Sequence, residues 1–292
     1  MTPSKPAPLP YQIHIRHRRS VWDVDWQGIF QYRDLLWLLV RRDFVSKYKQ
    51  TLLGPAWMII QPLATTLVFT LVFAKAANIP TDSDSPILFY MSGLLAWNLF
   101  AQILGNSGNI LQSNAHLFSK VYFPRTIVPL ANAVSSFIPF AIQLVLFAFT
   151  YLAVAFVSPG PSVTKIGPPL FLFPLFALQA ALVGLGAALL LSALTAVYRD
   201  LQHLLSFLVT IWMYLTPVII PLSALSHKWP DGMWLLQINP MLVPVEGMRW
   251  SLLGVGTLSL SSCVFSWGIA LSLLAAGFLA FNSVERSYVD RA

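Results

Sequence analysis

The sequence predicts an all-α integral membrane protein with six transmembrane helices, an N-terminal cytoplasmic interfacial helix, and short re-entrant external helices before the last span. Of its 292 residues, 57% are hydrophobic and only 10% are charged, whereas soluble domains have about 25% charged residues. The charges lie between long apolar runs, so the net charge of +7 does not indicate nucleic-acid binding. A single cysteine excludes a disulfide framework.

The first 29 residues form a polar tail that is rich in proline and arginine. No short apolar segment with a small-residue cleavage site follows its basic residues, so this tail is not predicted to be a secretory signal. The first span is therefore expected to act as its own insertion signal.

Residues 30–50 are predicted to form an amphipathic helix that does not cross the membrane. Each charge at the bilayer centre would cost roughly 2.5 to 3.5 kcal/mol, and this segment carries Arg33, Asp34, Arg41, Arg42, Asp43, Lys47 and Lys49. One side of the helix presents Phe30, Trp37, Val40, Phe44 and Tyr48. This pattern favours a helix on the membrane surface, with its aromatic side toward acyl chains and its basic side toward headgroups. A simple basic anchor next to a span is the alternative.

Charge-free runs predict six spans, because about 20 apolar residues are needed to cross the hydrocarbon core. The runs are residues 52–74, 87–111, 134–157, 170–197, about 204–220, and 262–282. The start of the uncharged stretch before residue 134 is expected to be oblique or interfacial. The run 232–245 is too short to cross and contains Asn239, Pro240 and Pro244, so it is predicted to be an interfacial or re-entrant element.

The distribution of basic residues predicts the orientation. Six spans put both termini on one side of the membrane, and 14 of the 18 Lys and Arg residues lie on that side. The four on the opposite side are Lys75, Lys165, Lys228 and Arg249. Basic loop residues stay in the cytoplasm, so both termini are predicted to be cytoplasmic.

The second predicted span carries a polar stripe. Asn98, Gln102, Asn106 and Asn109 fall on one face of a helix. Lipid cannot satisfy amide side chains, so this face is expected to meet protein or water. Interhelical hydrogen bonding is the favoured interpretation, and a polar wall of a translocation path is the alternative.

Two spans repeat small residues at every fourth position. The fourth has Ala180, Gly184, Ala188, Ser192 and Ala196, and the sixth has Gly268, Ser272, Ala276 and Ala280. Small residues let helix backbones approach closely. Both ridges are predicted to pack within the subunit in preference to forming a subunit interface.

The spans lack the groups that drive transport or catalysis in other membrane proteins. All 11 acidic residues lie outside the six runs, whereas an ion-coupled carrier is expected to bury a carboxylate. No G-x-x-x-x-G-K-[ST] phosphate loop is present. The sequence therefore predicts a non-enzymatic chain without a cofactor or metal of its own, whose energy comes from another protein.

Aromatic residues are frequent in the uncharged interior, and most are expected to face lipid or to form interfacial belts. A minority is suited to the C–H faces of a neutral, hydroxyl-rich cargo such as a sugar chain. The candidate residues of a translocation path, with the amides of the second span, are Trp57, Phe69, Phe73, Asn98, Gln102, Trp212 and Tyr214.

Several segments, in order, resemble the permease subunits of type-2 ATP-binding-cassette polysaccharide exporters. They are residues 32–36, 42–43, 48–57 and 61–62, then 120–125 with 129–131, then 198–201, 216–219, 239–241, 246–247 and Arg249. The similarity extends from about Arg33 to Ser287. The tail before Trp22 departs from the family pattern and has no assignment.

The resemblance implies a homodimer in the inner membrane that binds two copies of a separate cytoplasmic ATPase, which uses ATP and Mg²⁺. The implied cargo is lipid-linked polysaccharide such as O-antigen; capsular polysaccharide, teichoic acid or a drug-like lipid are the alternatives, and a scaffold without cargo is a third possibility. The implied domains are a cytoplasmic tail (1–29), the interfacial helix (30–50), the membrane domain (51–285) and a C-terminal tail (286–292).

The resemblance also implies roles for particular residues. Those of the gate-side interfacial helix are Arg41, Arg42, Lys47, Tyr48 and Lys49. Those of the coupling segment that docks into the ATPase are Ser119, Lys120, Val121, Tyr122, Phe123, Pro124 and Arg125. Those of the re-entrant external region are Asn239, Pro240, Glu246 and Arg249. Two aromatics and a rigid turn between Lys120 and Arg125 favour docking over simple positive-inside anchoring.

Overall fold

The computed structural model describes residues 26–49, 51–107, 110, 114, 123–157, 168–198 and 200–289, and these residues form helices and connecting turns without a strand. The helices are α1 (Trp26–Gln31), α2 (Arg33–Tyr48), α3 (Trp57–Phe69), α4 (Pro86–Ser107), α5 (Ile127–Val157), α6 (Phe173–Val197), α7 (Leu201–Tyr214), α8 (Leu222–Lys228), α9 (Met233–Ile238), α10 (Leu242–Leu253) and α11 (Leu260–Val289). Short 3-10 turns cover Gly54–Ala56, Pro168–Leu172 and Pro230–Gly232, and a π-helix, Thr70–Ala76, continues α3. The predicted all-α class is confirmed.

Five helical segments among the described residues are long and apolar enough to cross a membrane. They are Gly54–Ala76, Pro86–Asn106, Ile127–Val157, Pro169–Val197 and Leu260–Val284. These segments coincide with the first four runs and the last run predicted from charge. The protein is therefore a multi-pass membrane protein.

The helix in the fifth predicted span, α7, ends at Tyr214, six residues before the predicted limit. Its 14 residues reach about 21 Å, short of a hydrocarbon core of about 30 Å. Pro217 explains the early end, because proline has no N–H for the helix ladder and disfavours helical geometry at Thr216 before it. Residues 215–220 form turns and bends.

The helix of the third predicted span is longer than predicted, whereas α7 is shorter. The expected oblique start is part of one continuous helix, α5, which begins at Ile127 and has 31 residues. Pro129 is tolerated near its start because a first-turn N–H has no intrahelical partner. Pro139 lies in its interior and is buried.

The core of the bundle is built around α4. Its Phe89, Leu99 and Phe100 are fully buried, and the helix packs against α3, α5, α6, α7 and α10. A central helix needs apolar side chains around most of its surface, which explains why α4 is largely apolar outside its polar stripe of Asn98, Gln102 and Asn106. The helix α10 is also buried almost throughout and packs against α4 and α6.

Helices α6 and α11 approach most closely where two glycines meet. A Cβ on Gly277 would lie 2.3 Å from the carbonyl oxygen of Gly186. A Cβ on Gly186 would lie 2.7 Å from the backbone nitrogen of Leu274. Only glycine permits this backbone contact.

The two predicted small-residue ridges have different outcomes. On α6, Ala180, Gly184, Ala188 and Ser192 are buried as expected, and a Cβ on Gly184 would lie 3.2 Å from that of Ile103. On α11 the prediction is wrong, because Gly268, Ser272 and Ala276 are exposed. The buried side of that helix instead presents Ser266, Ala270, Gly277 and Phe281. Because this buried side mixes small and large residues, a search for small residues at every fourth position does not detect it.

Segments assigned to the same side by charge lie together. Near one end, the Ser223 hydroxyl donates a hydrogen bond to Asp82 Oδ1 over 2.5 Å. Near the other end, α2 packs against α5, and Arg42 Nη2 donates to Asn114 Oδ1 over 3.3 Å. The loops therefore cluster as the charge pattern requires.

The single amphipathic helix predicted for residues 30–50 is divided at Tyr32 between the end of α1 and α2, and its predicted apolar side is divided between protein and surroundings. Phe30 and Trp37 are exposed, as expected for residues facing acyl chains. Val40 was expected to join them but is only 4% exposed, and it packs with Leu39 in the cluster that contains Ile127. This part of the prediction is wrong because α5 extends far enough to cover that side of α2.

Candidate translocation and coupling sites

The end of the predicted coupling segment packs against α2 and α5. Phe123 is 5% exposed and belongs to the same apolar cluster as Leu39 and Val40. The Phe123 ring therefore packs inside this chain and holds the end of the segment against α2 and α5. Pro124 and Arg125 are partly exposed, whereas Ser119, Lys120, Val121 and Tyr122 lie outside the described residues. The docking role of this segment stays a prediction.

The predicted gate residues lie at the C-terminal half of α2. Arg41 and Lys49 are exposed, and Arg42 Nη2 pairs with Asp43 Oδ1 at 2.8 Å. Lys47 Nζ donates to Asn106 Oδ1 over 2.9 Å, so it joins the interfacial helix to the end of α4. Desolvation lowers the pKa of Lys47, and the nearby Asp43 carboxylate acts in the opposite direction. Tyr48 ends α2, and its side chain lies outside the described part.

A small crevice lies where α2, α3, α4 and α5 meet. Its lining combines charged, amide and hydroxyl groups with apolar ones: Asp43, Phe44, Lys47, Met58, Gln102, Ser135, Ser136 and Pro139. The crevice brings Gln102 of the polar stripe next to the predicted gate helix. The spacing of residues in the sequence did not predict that these four helices meet at one crevice.

The polar stripe of α4 meets protein, as the favoured interpretation predicted. Asn98 Nδ2 donates to Gln143 Oε1 of α5 over 3.1 Å. Asn132 Nδ2 of α5 donates to the backbone carbonyl of Asn106 over 3.0 Å. These bonds tie α4 to α5 along one seam. Asn109 lies outside the described residues.

The aromatic path candidates separate into packed and exposed residues. Phe69 is buried, with ring centroids 5.3 Å from Phe73 and 5.9 Å from Tyr90. Trp57 and Tyr214 are exposed, at 46% and 61%. The structure therefore does not bring these candidates together around one path, and their role in translocation stays a prediction.

Asn239 joins the loop between α9 and α10 to the end of α7. Its Oδ1 accepts hydrogen bonds from Trp212 Nε1 and from the backbone N–H of Met241, each at 3.0 Å. Its Nδ2 donates to Thr216 Oγ1 at 2.9 Å and to the carbonyl oxygen of Leu215 at 3.2 Å. The contacts with Trp212, Leu215 and Thr216 hold the loop between α9 and α10 against the end of α7 and the turn after it, while the contact with Met241 fixes the loop itself. Trp212, a path candidate, is thus engaged in packing contacts at this end of α7.

Arg249 is fully buried on α10 and fixed from several directions. Its Nη1 lies 3.0 Å from Glu246 Oε2, and its guanidinium donates to the carbonyl oxygens of Pro217 and Val218. The guanidinium carbon lies 3.9 Å from the centroid of the Phe89 ring, which is cation–π distance. Burial of a charge is costly unless it is paired and hydrogen-bonded. This arrangement pairs the charge and satisfies both Nη atoms, while Arg249 Nε and Glu246 Oε1 are buried without a hydrogen-bond partner among the described residues.

Close packing under Arg249 depends on Gly93 of α4. A Cβ at Gly93 would lie 2.7 Å from Arg249 Nη2, so a larger residue would displace the guanidinium. Pro240, the remaining predicted external residue, lies beside α11, with its carbonyl 3.5 Å from Ser266 Oγ. The sequence reasoning missed Gln143 and Gly93, although a lone amide within the predicted third span, residues 134–157, was a usable signal.

The fold and its five long apolar segments define a helical, multi-pass membrane protein. Residues 34–253 match the family described as ABC-2 type transporter. Because this match covers most of the chain, the protein belongs to the ABC-2 type transporter family, whose members are the membrane subunits of transporters. The resemblance stated from sequence motifs is confirmed.

Curated relatives carry names of one kind. The chain is 31% identical over 216 residues to the O-antigen export system permease protein RfbA of Myxococcus xanthus, an alignment covering 73% of this chain and 78% of that protein. It is 24% identical over 260 residues to the protein of the same name from Klebsiella pneumoniae, covering 88% of this chain and 94% of that protein.

Proposed function

We propose that this chain is the membrane-spanning permease subunit of an ATP-driven exporter. Its cargo is lipid-linked polysaccharide of the O-antigen class, which moves from the cytoplasmic to the external face of the inner membrane. The observation that carries the proposal is the match to the ABC-2 type transporter family over residues 34–253, together with O-antigen export permeases that align over up to 94% of their length.

The proposed topology has six crossings with both termini in the cytoplasm. Five are the long apolar segments, and α7 with residues 215–220 completes the remaining one. The contact between Ser223 and Asp82 supports an external location for both loops. Helices α8, α9 and α10 then form the external region, and the burial of α10 between α4 and α6 supports its re-entrant character.

The proposed assembly is a homodimer that binds two cytoplasmic ABC ATPase subunits. Residues 119–125 dock into the ATPase, and the gate helix, residues 30–50, lies beside them. The packing of Phe123 against Leu39 and Val40 supports this neighbourhood, because a displacement of the docking segment would reach α2 through direct contact. The tail 1–29, the membrane domain 51–285 and the tail 286–292 complete the proposed division of the chain.

Reconstitution tests the function. The chain is purified with its cognate ABC ATPase and placed in vesicles, and ATP hydrolysis is measured with O-antigen, capsular or teichoic-acid precursors on their lipid carriers. We expect the O-antigen precursor to stimulate hydrolysis and to appear on the far side of the membrane. Stimulation by another precursor alone would correct the cargo. Transport by the chain alone, down an ion gradient without nucleotide, would overturn the proposal.

A further inference from the structure

The segment Leu215–Val218, which follows α7, is held by two side chains from the external helices. Asn239 contacts the carbonyl of Leu215 and the hydroxyl of Thr216. Arg249 binds the next two carbonyls, those of Pro217 and Val218. Two side chains therefore engage four consecutive residues, mainly through backbone groups.

Helix α7 packs on its own subunit along one side. Leu205 is buried, and the half-buried Val209, Trp212 and Met213 pack against the core, with the Trp212 ring centroid 5.0 Å from that of Phe100. The helical residues on the other side are exposed: Leu204, Phe207, Leu208, Ile211 and Tyr214. Residues 215–218 add directional hydrogen bonds to this one-sided apolar packing.

The side of this junction that belongs to α10 is rigid. The Arg249 guanidinium is planar and donates in fixed directions, and Glu246, Phe89 and Gly93 restrict it as described above. Asn239 is fixed independently, because its Oδ1 accepts both the Met241 backbone N–H and the Trp212 indole N–H. A displacement of α7 cannot leave this end behind without breaking the two buried hydrogen bonds of Arg249 and the more accessible ones of Asn239.

We propose that Asn239 and Arg249 are positioning residues that make the end of α7 and the external helices α9 and α10 move as one body during export. A movement of α7 is then transmitted directly to the external side of the protein. This inference rests on the proposed export function, and it concerns contacts within one subunit.

Asn239 is the residue to test, because changing it leaves the buried Glu246–Arg249 pair intact. Asn239→Ala removes all four side-chain contacts. Asn239→Asp keeps the acceptor for Trp212 and Met241 but cannot donate to the Leu215 carbonyl. Gln237→Ala, two residues away and exposed, is the matched control. The complex of the chain with its ATPase is used throughout.

We expect Asn239→Ala to lower the amount of glycan exported per ATP hydrolysed by about tenfold, while yield, copurification of the ATPase and the rate of hydrolysis stay close to those of the wild type. Asn239→Asp should give an intermediate loss, and Gln237→Ala none. Equal export by Asn239→Ala would overturn the proposal. So would parallel loss of yield, hydrolysis and export, which a purely structural role produces. If the wild-type complex shows no glycan-dependent hydrolysis, the proposed function itself fails.

A distance measurement tests the rigid-body claim without transport. Spin labels are placed by Leu208→Cys on α7 and Gln237→Cys on α9, both exposed positions, with Cys263→Ser to remove the native thiol. Doubly labelled chains are diluted with unlabelled ones, so that each proposed homodimer carries a single labelled pair. We expect one narrow distance distribution that is the same in nucleotide-free and ATP-bound complexes, and a broader distribution when Asn239→Ala is added. A wild-type distance that changes between the two states would contradict the inference.

Discussion

Arg249 shows how a full charge is accommodated among apolar helices. Its side chain is 1% exposed and that of Glu246 is 0% exposed, yet the two carbonyls and the Phe89 ring complete its surroundings. From sequence alone, Arg249 belonged to the external loops, and its spacing from Glu246 is also typical of a pair on the surface of a helix. Burial depends on α4 and residues 217–218, which are distant in sequence, so it was not predictable.

Removing one partner of this pair should be strongly destabilising. Arg249→Met leaves the Glu246 carboxylate buried without its cation, and we expect a loss of about 3 to 5 kcal/mol in the free energy of unfolding. The measurement is the thermal stability of the purified protein in detergent. Arg33→Met is the control, because Arg33 pairs with Asp34 at 3.9 Å where both are exposed, and such pairs contribute little.

A double substitution separates the charge effect from packing. Combining Arg249→Met with Glu246→Gln removes the uncompensated carboxylate, so part of the stability should return. A double variant no more stable than Arg249→Met would show that the carbonyls of Pro217 and Val218, left without their donor, account for the loss.

At the scale of helices, the spans were largely predictable and the packed faces were not. Charge-free length located α3, α4, α5, α6 and α11, because the cost of burying charge in lipid acts on each segment separately. The side of a span that packs against protein is harder to predict than the span itself. Lipid is as apolar as a neighbouring helix, so hydrophobicity does not distinguish the lipid-facing side from the packed side. This explains why Ala276 looked packed while its neighbour Gly277 is the residue in contact.

Two glycines of α11 give a matched test of that correction. Gly277→Leu places a side chain against the Gly186 backbone, and we expect a loss of at least about 1 to 3 kcal/mol, seen as low yield of folded protein. Gly268→Leu is the control, because nothing lies within 4 Å of a Cβ there. Equal yields of the two variants would contradict the observed contact between α6 and α11.

At the scale of the whole molecule, the basic residues predict which loops are cytoplasmic, and this orientation stays a prediction. The residues that would bind a motor subunit were identified only through the resemblance, since charge at Lys120 and Arg125 has the same appearance in an ordinary cytoplasmic loop. The role of the path candidates also stays a prediction. Their surroundings were not predictable, because the rings that Phe69 and Trp212 contact, those of Tyr90 and Phe100, are distant in sequence.

Charge reversal tests the proposed docking segment. Arg125→Glu should reduce copurification of the ATPase, or lower export per ATP hydrolysed by about tenfold, because it places an unfavourable charge in the interface. Lys75→Glu is the control, since Lys75 is an exposed residue at the end of the π-helix and is assigned to the opposite side. If Arg125→Glu changes neither quantity, residues 119–125 are not the docking segment.

The site of Arg249 also has a consequence for biosynthesis. Phe89 and Gly93 leave the ribosome long before Arg249, which is made after more than four-fifths of the chain. In a chain that ends before Arg249, the carbonyls of Pro217 and Val218 have no guanidinium donor when the fold buries them. We therefore expect chains truncated before Arg249 to be degraded. Formation of this late contact is then the step that stabilises the newly made protein.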